Sequence, residues 1–178
     1  MLNVLKKLCK EQKYASIYTD SENSNKFIYG QILAVDMDYI AIGMISPDGI
    51  SDGIVVQPTG RVIRVEVGGQ YDRKMQKLIM FHNSKSDQYA FENGKILESV
   101  LRIAQQTKRV VSIEILNSGY DDIAGFVDEI ENHFCAVRPI DAYGCEDGVS
   151  YVQMSDITQV SYDSVDEKKI MMLWSLNQ

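Results

Sequence analysis

The sequence predicts a mainly β chain with short helices, built as two tandem copies of one small unit. Three observations carry that prediction. The stretch SPDGISDGIVV from Ser46 is written again as DAYGCEDGVSY from Asp141, so that Gly49, Asp52 and Gly53 meet Gly144, Asp147 and Gly148. Each half holds short apolar runs bounded by Asp, Asn and Gly, the residues that turn a chain. Finally, the halves stay in step over nearly their whole length when one is slid against the other, first by 96 residues and then by 95.

A helix opens each copy. Leu2, Leu5, Leu8 and Cys9 recur at helical spacing in the first, and Val100, Leu101 and Ala104 in the second. Here the offset is 96: VLKKLCKEQKYASI lies over VLRIAQQTKRVVSI, and Lys6 and Lys13 meet Arg102 and Arg109. A strand follows at YASIYT and VVSIEIL. The single one-residue gap falls between Ile113 and Ile123, in LNSGYDD opposite TDSENSNK, a polar loop that tolerates a length change. Beyond it the offset is 95, and Ile28, Gly30, Ala41 and Ile45 meet Ile123, Gly125, Ala136 and Ile140.

The long apolar stretch from Phe27 breaks into two strands near DMD, and its counterpart from Ile123 near IEN, where Asp and Asn supply local turn hydrogen bonds. The Asp-Gly turns then reverse the chain into GIVVQ and VSYVQM. A last strand is expected at RVIRVEV and DITQVSY, and a short helix at YDRKMQKLIMF and VDEKKIMMLWSL ends each copy. The best linker candidate is HNSKSDQYAFENGK, whose QYAFENG is alternatively a lead-in to the second helix; the boundary is expected near Ser86, giving copies 1–85 and 86–178. Two repeats are too few for a solenoid.

Composition narrows the function. The 178 residues fit one ordinary domain or two small ones, and 45% hydrophobic with 24% charged residues is the balance of a folded soluble protein. A formal charge of −7 counts against nucleic acid as the default partner, because phosphate binding needs clustered Lys and Arg. Cys9, Cys135 and Cys145 are odd in number and lack C-x-x-C spacing, which points to reduced thiols and a cytoplasmic location. MLNVLKKLCKEQK interleaves lysines with apolar residues, so it is not expected to act as a signal peptide, and no apolar run reaches membrane-spanning length.

A helix followed by five short, bent strands is the element order of the Sm-like fold, and particular residues resemble its first signature. Gly30, Ile32, Asp36 and Tyr39 match in the first copy, and Gly125, Val127, Glu131 and Phe134 in the second. The resemblance implies two tandem barrels of the SH3/Sm type, in which a strand glycine permits a sharp bend. It also implies an RNA-base pocket, but the residues that would build one are replaced. Ile40 and Cys135 stand where the family has asparagine. Thr59-Gly60 lacks the arginine of the second signature, and Met154-Ser155 keeps neither residue. Isoleucine and cysteine cannot replace an amide at a base edge.

No catalytic, metal, cofactor or ligand-binding residue is assigned. His133 and Cys135, two apart, could face one another on a strand, but Asp38 and Ile40 hold those places in the first copy. Asp48, Asp52, Glu146 and Asp147 lack the spacing of a calcium loop and read as turn formers, and Tyr143 replaces Asp48 in the second copy. The apolar ends, Leu78 to Phe81 and Ile170 to Leu176, hold more apolar side chains than one helix face can bury; core closure over the barrel mouth accounts for some, and the alternatives for the rest are more core, cover for the other barrel, or a partner subunit. The expected function is a non-enzymatic cytoplasmic binding or assembly module whose partner is a protein or the chain itself. The alternative is a divergent Sm-like RNA-associated protein.

Overall fold

The structure, a computed structural model, describes residues 1–20, 23–84 and 89–178. Its contacts divide the chain into two units, Met1–Ile96 and Leu97–Gln178. The boundary expected near Ser86 lies outside the described residues. The fold is mainly β with four helices among those described. The first unit runs α1 (Leu2–Glu11), β1 (Tyr14–Tyr18), β2 (Ile28–Val35), β3 (Tyr39–Ile45), β4 (Ser51–Pro58), a 3-10 turn (Thr59–Arg61), β5 (Arg64–Glu66) and α2 (Gln70–His82). After α3 (Ile96–Thr107), the second runs β6 (Val110–Ile115), β7 (Ile123–Ile130), β8 (Phe134–Pro139), β9 (Ser150–Gln153), a 3-10 turn (Met154–Asp156), β10 (Ile157–Tyr162) and α4 (Val165–Leu176). The last strand of the first unit, Arg64–Glu66, is shorter than RVIRVEV, whose first residue, Arg61, is wound into the 3-10 turn.

All strand pairings within the units are antiparallel, in the order β5-β1-β2-β3-β4 and β10-β6-β7-β8-β9. The register repeats residue for residue under the offsets read from the sequence. Ser16 faces Tyr29 as Ser112 faces Ala124, and Ile42 faces Val55 as Val137 faces Ser150. Even the irregularity recurs. Between β2 and β3 the pairing skips from Ile32–Ile42 to Ala34–Ala41, and between β7 and β8 from Val127–Val137 to Glu129–Ala136. Such a bulge bends its strand and raises the local twist.

Glycines make the bend possible. A Cβ on Gly30 would lie 2.1 Å from the carbonyl oxygen of Gly43, and one on Gly125 would lie 2.2 Å from that of Arg138. The hairpin-tip glycines have a second reason. Gly49 and Gly144 both take a φ of 83°, in the left-handed region, and each abuts the closing helix of its unit at Leu78 or Leu173.

Core packing follows from these frames. In the first unit Leu5 and Leu8 of α1 join Ala15, Ile17, Ile32 and Ile42 in a buried cluster, while Met75 and Ile79 of α2 pack with Tyr29 and Ile45. In the second, Ile170, Met171 and Trp174 of α4 pack on Val110, Phe126 and Ile140. An acid three residues into each closing helix fixes that helix to its sheet. Asp72 accepts hydrogen bonds from the Tyr29 hydroxyl, the Gly68 N–H and Gln76. Glu167 accepts from the Ser112 hydroxyl and, closing a capping box, from the Ser164 N–H.

Replacing either close-approach glycine should strain the bend. Gly30→Ala and Gly125→Ala are each expected to cost roughly 3 kcal/mol by denaturant unfolding, since the obstructing atom is backbone and has little room to yield. A change below about 0.5 kcal/mol would show that the strands do not approach as described.

Candidate functional site

Each unit brings together two turns, the one joining its second and third strands and the 3-10 turn after its fourth. In the first unit Asp36 builds this junction. Its Oδ1 accepts the N–H groups of Asp38 and Tyr39 at 2.9 and 2.7 Å, and its own N–H donates to the Tyr39 carbonyl. Thr59 ties the second turn on, donating its N–H to the Asp38 carbonyl at 2.9 Å and its hydroxyl to the Asp36 carbonyl at 3.2 Å. In the second unit the same backbone bonds recur, Glu131 N–H to Phe134 O and Met154 N–H to His133 O, at 2.9 and 2.8 Å. The junction places Met37 and His133 in solvent and leaves Tyr39 and Phe134 half-buried, with Phe134 edge-on to Tyr151. Burial, with Asp38 and Asp36 nearby, pushes the Tyr39 hydroxyl pKa up.

Ile40 and Cys135 are fully buried. Ile40 belongs to the core of the first unit, and Cys135 occupies the matching place in the second. Burial pushes the Cys135 thiol up to about 11, so it is protonated at neutral pH, while His133 sits exposed. The arrangement gives this cysteine no thiolate character. Asp48 and Asp52 lie in the first unit, and Glu146 and Asp147 in the second. Among the described residues, no three His, Cys, Asp or Glu side chains converge with the geometry to hold a metal ion.

Three features were not legible in the residues alone. Gln57, on the same strand face as core Val55 and opposite Ile40, is buried with neither amide atom hydrogen-bonded. Its counterpart is Val152. In the second unit, Arg138 grips Asp128 through Nε and Nη2 at 3.2 and 3.3 Å and reaches Glu146 through Nη1 at 2.5 Å. The indole N–H of Trp174 donates to the same Glu146 oxygen at 2.9 Å. Glu146, expected only to form a turn, thus joins β8, the hairpin tip and α4. The matching positions in the first unit are Leu33, Gly43, Ser51 and Ile79, so this clasp belongs to the second unit alone.

The closing helices bury one face and expose another. Leu78 and Ile79 pack inward while Met80 and Phe81 are exposed, and Met172 and Leu176 are exposed beyond the packed Ile170, Met171 and Trp174. Phe81 and Leu176 hold the same place in the two units. β5 and β9 end the strand orders, each hydrogen-bonded to a neighbour along one side only among the described residues. No helix among those residues is long and apolar enough to cross a membrane.

Comparisons with family models, with curated proteins and with solved structures each return no match.

Two measurements check these placements. Gln57→Leu should stabilise the protein by about 1–2 kcal/mol, because it removes a desolvated, unbonded amide while nearly keeping the volume. A destabilised variant would mean the amide is satisfied. Alkylation of the folded protein should modify exposed Cys145 first and spare Cys135 until denaturant is added. Early labelling of Cys135 would contradict its burial.

Proposed function

We propose that the chain is a duplicated pair of small barrels of the SH3/Sm type, serving as a non-enzymatic binding or assembly module in the cytoplasm. Its partner is a protein, or further copies of the chain. The observation that carries this reading is the recurrence of one strand register, bulge included, in both units, with β5 and β9 each left with an unpaired side among the described residues. An edge strand offers a row of free N–H and C=O groups to another strand. β9 carries no charged residue in Ser150–Gln153 and exposes Tyr151, so it lacks the charges with which edge strands discourage pairing. Pairing of β9 with β5 of the next copy is head-to-tail, a contact that closes into a ring or grows as a filament.

RNA is the weaker partner. The buried Ile40 and Cys135 bring no amide to the turn junction, and the charge of −7 repels phosphate.

Sedimentation velocity across a concentration series tests the assembly. Self-association is expected, and Tyr151→Lys, which places a charge on the β9 edge at an exposed position, should shift the protein to the monomer. A wild-type protein that stays monomeric at every concentration, or an assembly indifferent to Tyr151→Lys, would contradict pairing through β9.

A further inference from the structure

Each unit carries a cavity at the same place in its frame, between the last turn of its opening helix and the bulged part of its second strand. In the second unit this cavity measures about 280 Å³. Ala104, Phe126 and Val127, all buried, form its apolar floor. Its rim is polar: Gln105 donates to the Asp128 carbonyl at 2.8 Å, Arg138 grips the Asp128 carboxylate, and Lys108 makes no ion pair among the described residues. In the first unit the matching residues Cys9, Gln12, Gln31, Ile32 and Leu33 line a cavity of about 240 Å³. There a further wall comes from outside the repeat. It is Tyr89, at a position outside any helix or strand.

We propose that the cavity of the second unit is a docking site for a tyrosine of a partner protein, presented on an extended segment with an acidic residue beside it. The first unit supplies the precedent, since a tyrosine on non-helical chain already borders its copy of the cavity. No described residue of the second unit does so in the same way. The volume lies below the range of about 300–1,000 Å³ usual for small-molecule sites, which favours a single side chain. An apolar floor with a polar rim suits a phenol, whose ring is hydrophobic and whose hydroxyl needs a partner. The rim also differs in charge: Lys108, which makes no ion pair among the described residues, replaces Gln12, while Arg138, in place of Gly43, is already held by Asp128 and Glu146, so Lys108 is the cation left to meet an acid. This inference rests on the partner being a protein. It does not involve β9, so the sedimentation experiment and the one below can fail separately.

The test is a titration of the whole chain with the peptide acetyl-Ala-Tyr-Asp-Glu-Ala-amide, read by ¹⁵N amide shifts and by emission of Trp174. That residue is the only tryptophan in the chain, and it packs edge-on to Phe126 of the cavity floor at 4.8 Å. Saturable shifts are expected at Gln105, Lys108 and Asp128. Lys108→Glu, at an exposed position, should weaken binding about fivefold, and replacing the peptide tyrosine with alanine should abolish it. Absence of saturable shifts at millimolar peptide would overturn the proposal. So would a titration unchanged by both substitutions.

Discussion

A β-strand can fold closely over its neighbour only where no Cβ stands in the way, and both units depend on that condition. Gly30 faces the carbonyl of Gly43, and Gly125 that of Arg138, at distances no side chain could occupy. The bulges at Leu33 and Asp128 follow three residues later, adding twist where the strands have already come close. Much else is placed by this bend. It brings the turn at Asp36 against Thr59 and the turn at Glu131 against Met154, and it opens the space beside the bulge that Tyr89 borders in the first unit.

Around this shared frame the two units solve the same packing problems with different chemistry. The closing helix is held by an acid in its first turn in both, but Asp72 finds a tyrosine and Glu167 a serine. The polar clasp of Arg138, Glu146 and Trp174 has aliphatic and small residues in its place in the first unit. Gln57 inverts the pattern, standing buried and unbonded where the second unit has Val152. The two units thus share a strand register while their side-chain chemistry differs. The charged rim at Lys108 and Arg138 belongs to that divergence, and it separates the second cavity from the one Tyr89 borders.

How much was legible follows from the range of each signal. Turn glycines and Asp-Gly pairs act over a few residues, so the hairpin tips at Gly49 and Gly144 could be placed from sequence, as could the break at DMD. The correspondence between the units was legible, since the offset of 96, then 95, read from the sequence is the one that relates their strand pairings, but the pairing register itself was not. Nor were side-chain partners. Arg138 and Trp174 meet at Glu146 only after β8, the hairpin tip and α4 have come together, and nothing in the spacing of those residues announces it. The Ser164–Glu167 capping box was visible in principle as Ser-x-x-Glu, but its bond to Ser112 was not. Tyr89 lies in a stretch that reads as linker or as lead-in to the second helix, neither of which places it against a cavity.

The central claim is that both units share one backbone frame, including its irregular step. Cross-strand Hα and amide NOEs in a labelled sample test it directly. The account predicts contacts for Ile32–Ile42 followed by Ala34–Ala41, and likewise for Val127–Val137 followed by Glu129–Ala136, with Leu33 and Asp128 left outside the pairing. Regular pairing through Leu33 or Asp128, or a step present in one unit and absent from the other, would contradict it.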